Sequence, residues 1–417
     1  MRLSRRARRG VTGESGDASF RAQSKGRRSI MRRNLHRYYV YTVLSSLAFT
    51  WTTWFVFVDS RGGNPGWAES AFHLAILLGE VPTGVVADLL GRRRSMLIGL
   101  VLGAASFFGY GLIRDTLTAC LMLGITGLSL TFISGADAAL LYETAAALGG
   151  EDFARRATAR ASALQMMALA AAPVVAGWLA ERHPAAPFFA HGAVNLLAAV
   201  VVWRMQEPPA PAAPAGRPEG PWAHTLAALA FLRRHPGVLG MVAFAWVYEA
   251  AASMVSQFGQ VYLPALGLSM LGAGVVFSAG RLLGAAGGWV AARLQGGGAD
   301  RWLRWGPLGQ AALILLAGLA RTAGGGVALA VNEGVDGLVY PLLSARINQA
   351  VPSAQRATIL SFQSLGSSLL IALAFPAAAA LPSVFTVYAI VGGALAAAAL
   401  GWALPRQRAA VPAPEGR

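Results

Sequence analysis

Charge is scarce in this sequence: only 13% of its 417 residues are charged, whereas 55% are hydrophobic. A soluble domain carries about 25% charged and about 45–50% apolar residues. The deficit of charge therefore excludes an ordinary soluble fold. Cysteine is nearly absent as well, and the single Cys120 excludes an internal disulfide and any cysteine metal cluster.

Lysine occurs once, as Lys25, and Gly26 follows it. A nucleotide-binding P-loop needs a lysine followed by Ser or Thr, so this chain holds no ATP-driven motor of that kind. It also lacks a His-Glu-x-x-His zinc pair and a Gly-x-Ser-x-Gly nucleophile elbow. We expect no cofactor and no enzyme activity, with a membrane enzyme kept as a remote alternative.

Long apolar runs are what the sequence does contain. A helix needs about 20 apolar residues to cross about 30 Å of hydrocarbon, and twelve runs approach that length. The pattern predicts an all-α integral membrane protein with twelve transmembrane helices. The runs are Tyr38–Val58, Ser70–Leu90, Ser95–Ile113, Leu117–Ala139, Ala161–Leu179, Pro187–Trp203, Val238–Leu263, Leu271–Val290, Trp305–Ala320, Val327–Leu343, Thr358–Ala380 and Phe385–Leu404.

The formal charge of +16 is unevenly distributed between the loops. If both ends lie inside, the outside loops hold only Arg61, Arg114, Arg182 and Arg321, and nearly all other basic residues lie inside. The positive-inside rule therefore predicts cytoplasmic termini in a plasma membrane, with the bacterial inner membrane favoured. Because topology accounts for the charge, no nucleic-acid partner is expected.

The chain divides into five segments. Residues 1–37 are basic and are expected to form a disordered cytoplasmic arm; translation could begin at Met1 or Met31, and contact with anionic lipid is an alternative role for the arm. Residues 38–205 form a first six-helix half. Residues 206–236 are a Pro/Ala-rich cytoplasmic linker, 237–405 a second six-helix half and 406–417 a cytoplasmic tail.

Two matches indicate that the halves arose by duplication. Arg156-Ala-Thr recurs as Arg356-Ala-Thr, 200 residues later. Gly135-Ala-Asp137 recurs as Gly334-Val-Asp336, at an offset of 199. Repeated halves with a substrate site between them are one architecture of secondary transporters.

The segment after the second run reads Gly84-Val-Val-Ala-Asp88-Leu-Leu-Gly91-Arg92-Arg93. It resembles the Gly-x-x-x-Asp-Arg/Lys-x-Gly-Arg/Lys-Arg/Lys signature of the major facilitator superfamily, with Leu89 in place of the usual basic residue. The resemblance implies a gate. Gly84 is expected to allow close helix contact, Asp88 to end the helix, Gly91 to turn the chain, and the Arg pair to bond across the bundle.

Other segments resemble the same superfamily. Arg356 and its neighbours look like the loop before its eleventh helix, which adds Arg356 to the predicted gate. Ala168-x-x-x-Ala172-Pro173-Val-Val-Ala176-Gly177 looks like a degraded form of its exporter motif and favours export, although a proline kink explains it equally. The arginine that drug exporters of this superfamily carry in the fourth span has no counterpart in residues 117–139.

Ionisable residues within spans are candidates for function because a charge at the bilayer centre costs about 2.5–3.5 kcal/mol. Glu80, Glu249 and Glu333 are candidate proton sites, with an ion pair to Arg281 or a backbone hydrogen bond as the structural alternative. Asp137 and Asp336 lie at repeat-related positions predicted to be near helix ends and suit gating, or capping. Arg281 could bind an anionic substrate or neutralise an acid. The polar candidates of the seventh span, which suit either a cavity wall or an interhelical hydrogen-bond set, are Tyr248, Gln257 and Gln260.

The sequence thus predicts a secondary transporter, a monomer in contact with membrane lipids, that moves a small molecule by alternating access. Export of an amphipathic organic compound, driven by a proton gradient, is the first hypothesis. Proton-coupled uptake of a metabolite is the second, and a receptor without transport is a remote third. His73 is expected to be packed rather than a proton relay, and Gly280-x-x-x-Gly284-x-x-x-Gly288 to be a helix-packing surface.

Overall fold

A computed structural model describes residues 13–208 and 229–403 of the chain. The described residues are helical almost throughout, and no β-strand occurs among them. The longer helices are α1 Gly13–Ser46, α2 Trp54–Ser60, α3 Pro65–Leu90, α4 Arg92–Gly109, α5 Thr116–Ile133, α6 Ala136–Arg182, α7 Ala186–Trp203, α8 Pro236–Ala265, α9 Met270–Ala291, α10 Gly297–Leu319, α11 Ala323–Ala350, α12 Ser353–Ala379 and α13 Val384–Ala403.

The predicted apolar runs coincide with these helices. Within the described ranges, eight segments are long and apolar enough to cross a membrane, or nine when the bent pair of α1 and α2 counts as one. One of the eight, Thr116–Arg182, holds two predicted spans, because its helical geometry breaks at Gly149 and Gly150. The helices α10 and α11 fall below this test, and α11 carries Asn332, Glu333 and Asp336.

Both described ends of the chain lie on one side of the bundle, here called the termini side. There Asn34 and Gln206 exchange hydrogen bonds between side chain and backbone, of 2.7 and 3.1 Å, which join α1 to the end of α7. The opposite side, here called the distal side, carries the connections at residues 61–64, 113–115, 183–185, 266–269, 320–322 and 380–383.

The expectation of a disordered arm over residues 1–37 is wrong for its described part. Helix α1 begins at Gly13 and continues without interruption into the first span. The segment Arg21-Ala-Gln-Ser-Lys25 contains mainly good helix formers, and Met31 and Asn34 are buried beside α6 and α7. Residues 1–12, most of the predicted linker at 209–228 and the tail from 404 lie outside the described residues.

Glycines let α9 and α11 pack closely in the second half. A Cβ at Gly287 would clash with the carbonyl oxygen of Gly334, and one at Gly337 with that of Gly284. A Cβ at Gly280 would lie 3.1 Å from Cγ of Glu333. The predicted glycine surface is therefore a packing surface, and it brings α9 against the face of α11 that carries Glu333.

The two halves meet on the distal side. Ser70 Oγ of α3 donates to the carbonyl of Ala372 in α12 at 2.6 Å, and a Cβ at Gly274 of α9 would clash with the carbonyl oxygen of Pro173 in α6. Toward the termini side the same helix α3 is exposed, with Leu78 at 73% and Leu89 at 79%. The bundle is therefore closed distally and open toward the termini.

Candidate functional site

A central cavity of about 270 Å³ lies between the two halves. Its wall in the first half is largely aromatic, and its wall in the second half is polar. The lining residues are Thr50, Trp51, Trp54, Glu69, Phe72, His73, Phe107, Tyr110, Leu123 and Thr126 from the first half and Ser253, Ser256, Gln257 and Arg281 from the second.

Glu69 is the carboxylate of the first-half wall. It lies one turn into α3 and its side chain is only 3% exposed. Its Oε1 is 3.5 Å from Nε2 of His73, one turn further on, and accepts a 3.2 Å hydrogen bond from Gln257 Nε2 of α8. Nδ1 of His73 is buried and has no hydrogen-bond partner among the described residues. The pair Glu69–His73 therefore presents titratable groups to the cavity.

Two glutamines of α8 bridge the halves. The Oε1 of Gln257 accepts from the indole Nε1 of Trp54 at 3.1 Å and from Gln260 Nε2 at 2.9 Å. The Oε1 of Gln260 accepts from the backbone N–H of Phe55 at 3.0 Å. Gln260 is fully buried, so it belongs to an interhelical hydrogen-bond set, whereas Gln257 belongs both to that set and to the cavity wall.

The backbone group that Gln260 accepts from is available because the first span is broken. A short 3-10 helix at Phe49–Thr52 separates α1 from α2, and the two helical parts bend by 43°. The hydroxyl of Thr50 lies 2.8 Å from Nδ1 of His191, whose ring stacks on Phe107 with 3.8 Å between centroids. This anchor fixes the break beside the cavity and holds Trp51 and Trp54 in its wall.

Arg281 occupies the second-half wall. Its Nη1 donates to Glu333 Oε2 at 3.1 Å and its Nη2 to Ser256 Oγ at 3.5 Å, and the two charged side chains are 38% and 16% exposed. Arg281 thus forms an ion pair with Glu333, one of the predicted acids. The partly exposed guanidinium still borders the cavity.

Asp336 lies behind this ion pair. It is on the same face of α11 as Glu333, because residues three apart on a helix are neighbours. Gln310 Nε2 of α10 is 3.5 Å from its Oδ1, and the buried ring of Tyr248 lies beside it. The prediction that Asp336 lies near a helix end is wrong: α11 runs unbroken from Ala323 to Ala350, so Asp336 is in its middle. Tyr248 is packed inside the second half and does not line the cavity.

The other predicted acids lie apart from the cavity. Glu249 accepts a 2.8 Å hydrogen bond from Gln363 Nε2 and another from Ser367 Oγ, so neither Arg281 nor the backbone is its partner. Glu80 is exposed on the open part of α3 and has no side-chain partner among the described residues. Asp137 follows the turn at Gly135 and accepts from the N–H of the next residue, Ala138, at 2.6 Å, within the first turn of α6.

The residues of the predicted gate in the first half lie at the termini end of α3 and the start of α4. Gly91 makes the turn with φ of 95°, and Asp88 Oδ1 bonds Arg92 Nη1 at 2.6 Å. The carboxylate of Glu207 accepts from the backbone N–H groups of Arg92 at 2.6 Å and Arg93 at 3.1 Å. Gly91 supplies no side-chain cap to α4, and Glu207 accepts from two of the free N–H groups at the start of that helix.

Three contacts expected of the gate are absent from the described residues in this open arrangement. A Cβ on Gly84 would meet nothing within 4 Å, so no helix packs closely against this part of α3. The Arg pair does not bond across the bundle: Arg92 bonds Asp88, and Arg93 donates to the carbonyls of Val202 and Trp203 in the same half. Arg356 donates to the carbonyl of Val351, in its own loop, at 3.4 Å, and bonds no residue of the first half within the described ranges.

Glu69 was missed because the apolar run was taken to begin at Ser70. The signals for an earlier start were present, since Asn64 caps the helix through Oδ1 and Pro65 is its first residue. The spacing of Glu69 and His73, one helical turn apart, is a second signal. Glu207 was not predicted as a site residue, and nothing local marks it, because its partners are 114 and 115 residues away.

No group of three His, Cys, Asp or Glu that could hold a metal ion occurs among the described residues. Two helical halves around a cavity that opens to one side define the class of secondary transporters. The chain belongs to the Major Facilitator Superfamily, whose sequence profile matches residues 40–332.

Solved structures show the same fold at low sequence identity. The nucleoside transporter NupG, as its D323A mutant, is 14% identical, with a TM-score of 0.74 over 89% of this chain and 98% of that one. The D-xylose-proton symporter is 14% identical, with a TM-score of 0.68 over 89% and 97%. A bacterial homologue of the human lysosomal transporter Spinster, inward-facing and unoccupied, is 14% identical, with a TM-score of 0.63 over 90% and 94%. No curated protein sequence matches the chain.

Proposed function

We propose that the protein exports amphipathic organic cations across the cell membrane in exchange for protons. The central observation is the composition of the cavity: aromatic side chains and the buried carboxylate of Glu69 on one wall, and the guanidinium of Arg281 on the other. Arg281 is paired with Glu333, and Asp336 lies behind that pair, so this region holds three carboxylates and one arginine. Since uncompensated charge is costly inside a membrane, the surplus must be neutralised by protons or by a cationic substrate.

The aromatic wall supports an organic cation over an inorganic one. Trp51 and Trp54 come from the broken first span and Phe72 from the turn of α3 that also carries Glu69. Cation–π contacts to such rings contribute about 0.5–2 kcal/mol each, and the apolar faces also bury the hydrocarbon of the ligand. A substrate with a positive centre and apolar groups matches both the carboxylate and the rings.

Export is supported by the segment around Pro173 through its resemblance to the exporter motif of the superfamily. Its small residues pack α6 against α9 at the distal contact of the halves, where a Cβ on Gly177 would clash with the carbonyl oxygen of Met270. Cytoplasmic termini, as the loop charges predict, make the open side the cytoplasmic side. The cavity would then collect substrate from inside the cell.

Proton-coupled uptake is the second candidate. It is favoured by the lack of an arginine in the fourth span, residues 117–139, since that residue accompanies proton antiport in the drug exporters of the superfamily. The polar second wall, with Ser253 and Gln257, would also accommodate a polar metabolite. The direction of transport must therefore be measured separately from the class of substrate.

Binding is tested with two ions of the same shape and opposite charge, tetraphenylphosphonium and tetraphenylborate, added to purified protein. We expect the cation alone to quench the fluorescence of Trp51 and Trp54. Glu69→Gln should weaken its binding about 10- to 100-fold, because a neutral amide replaces the buried counter-charge. Glu151→Gln, an exposed acid of α6, is the matched control.

Equal binding of tetraphenylborate, or unchanged affinity in Glu69→Gln, would contradict the cation assignment. Direction is read in proteoliposomes with an imposed proton gradient. Substrate movement down the proton gradient, in the same direction as the protons, would replace export by uptake. Glu80→Gln and Glu249→Gln serve as proton-site variants: loss of gradient-driven flux with preserved exchange identifies a coupling acid, and unchanged flux in both leaves Glu69, Glu333 and Asp336.

A further inference from the structure

A second cavity, of about 220 Å³, lies on the termini side, between α1 and the turn that interrupts α6. Arg28, Arg32, His36 and Tyr39 line it from α1, and Leu148 and Phe153 line it from α6. The turn at Gly149 and Gly150 places Leu148 and Phe153 on the same wall; Gly150 has a φ of 73°. No residue of this pocket lines the central cavity.

The rim of the pocket is basic. Arg28, Arg32 and His36 follow one another at a spacing of four, so they lie on one face of α1 over two turns. All three are exposed, and neither arginine has an ion-pair partner among the described residues. Asp152, the acid beside Phe153 in sequence, is bonded to Arg155 at 2.9 Å and does not line the pocket. The pocket therefore offers positive charge to an incoming anion.

A polar group inside the pocket lacks a partner. The hydroxyl of Tyr39 is buried and makes no hydrogen bond within the described part of the chain. A buried donor without an acceptor is unfavourable, and an acceptor bound in the pocket would satisfy it. This observation is independent of the arginines and indicates the same kind of ligand, an anion rich in acceptor oxygens.

The floor of the pocket is apolar. Tyr39, Leu148 and Phe153 are partly buried against the hydrophobic cluster formed by α1, α4, α6 and α7 on this side. Tyr39 also stands at the beginning of the first apolar run, where aromatic rings mark the boundary between hydrocarbon and head groups. A ligand here meets basic residues toward water and apolar residues toward the bilayer.

We propose that this pocket binds the headgroup phosphate of an anionic phospholipid, with the adjoining acyl chain over Leu148 and Phe153. Arginine guanidinium groups bind phosphate oxygens through two parallel hydrogen bonds, and the Tyr39 hydroxyl supplies a third donor. A free anion would use the same donors but not the apolar floor. The proposal does not depend on which substrate the transporter carries.

The test compares purified protein in nanodiscs of phosphatidylcholine alone and with phosphatidylglycerol added, with lipid binding measured by native mass spectrometry and thermal unfolding. Arg32→Gln should weaken phosphatidylglycerol binding about fivefold, the effect of one basic residue near the surface. Arg33→Gln is the matched control, since Arg33 is the next residue of the same exposed helix but does not line the pocket. Tyr39→Phe, which changes no charge, should also weaken binding.

Equal loss in Arg32→Gln and Arg33→Gln, together with no effect of Tyr39→Phe, would overturn the pocket in favour of diffuse attraction between the basic helix and the bilayer. Full stabilisation of detergent-solubilised protein by inorganic phosphate alone would overturn the assignment to a lipid. The expected result is stabilisation by phosphatidylglycerol that inorganic phosphate does not reproduce and that the Arg28→Gln/Arg32→Gln double variant loses.

Discussion

The two halves share a topology but differ in whether equivalent spans are broken or continuous. In the first half the first and fourth spans are broken, at Phe49–Thr52 and at Gly135, whereas their counterparts α8 and α11 are continuous. The duplicated aspartates illustrate the consequence. Asp137 lies in the first turn of a helix and accepts from the N–H of Ala138, while Asp336 is in the middle of a helix beside Gln310.

This difference separates two tasks. The breaks of the first half turn Trp51 and Trp54 into the cavity beside Glu69, and so provide contact surface. The continuous helices of the second half hold the Arg281–Glu333 ion pair and Asp336 in fixed register, and so provide a set of charged groups with one acid in excess. The proposed function assigns substrate contact to the first half and charge balance by protons to the second.

The largest expected effect tests whether the second-half charges compensate one another. Arg281→Leu should abolish transport and lower the stability of the purified protein by about 1–3 kcal/mol, because Glu333 loses its partner. Adding Glu333→Leu should recover most of that stability, since removing both members of an ion pair costs less than removing one. Thermal unfolding measures both variants.

Arg293→Leu is the control for that pair, as Arg293 follows α9 and lies over the ring of Trp289 rather than beside an acid. In the first half, Glu69→Gln should leave the unfolding temperature nearly unchanged, since its amide can still bond Gln257. If the Arg281→Leu/Glu333→Leu double variant were as unstable as Arg281→Leu alone, the loss of stability would not come from an unpaired Glu333.

An intermediate effect is expected where the halves touch. Gly274→Ala forces a methyl group into the carbonyl of Pro173 and should shift the population toward distal opening by about 5- to 100-fold, the equivalent of a 1–3 kcal/mol clash. Gly272→Ala is the control, because a Cβ there would lie 3.6 Å from that of Leu268. The reporter is Ser253→Cys in the cavity, in a Cys120→Ser background, labelled from the distal side by an impermeant reagent. Equal labelling of the two glycine variants would remove the distal contact as the seal.

The apolar runs predicted the helices, and the duplicated motifs predicted the halves, because both depend on local sequence. The cavity could not be obtained in this way. Its bridges join residues far apart in sequence, such as Gln257 to Trp54 and to Glu69, and its shape depends on which side of the bundle is open. Glu80 illustrates this limit of prediction from sequence. Its position within an apolar run indicated a charge that is costly to bury, but its side chain is exposed in the open arrangement.

The smallest expected effect concerns the distal start of the fourth span in each half. Asp115 caps α5 by accepting from the N–H of Thr118 at 2.8 Å, whereas Thr322, at the start of α11, makes no such bond. The N–H and then the hydroxyl of Thr118 lower the pKa of Asp115 below its usual value. Asp115→Ala should therefore lower the unfolding temperature by about 1–3 °C at neutral pH, and Thr322→Ala should have no effect.

The pH dependence follows from the direction of that shift. A carboxyl group with a depressed pKa stabilises the folded state fully above its unfolded pKa of about 4 and loses that contribution as pH falls through the folded value. The difference in unfolding temperature between wild type and Asp115→Ala should thus be constant from neutral pH down to about 5 and shrink in more acidic solution. A difference that stayed constant below a pH of about 5 would mean that the Asp115 carboxylate is not the stabilising group. An equal effect of Thr322→Ala would mean that the cap does not distinguish the two halves.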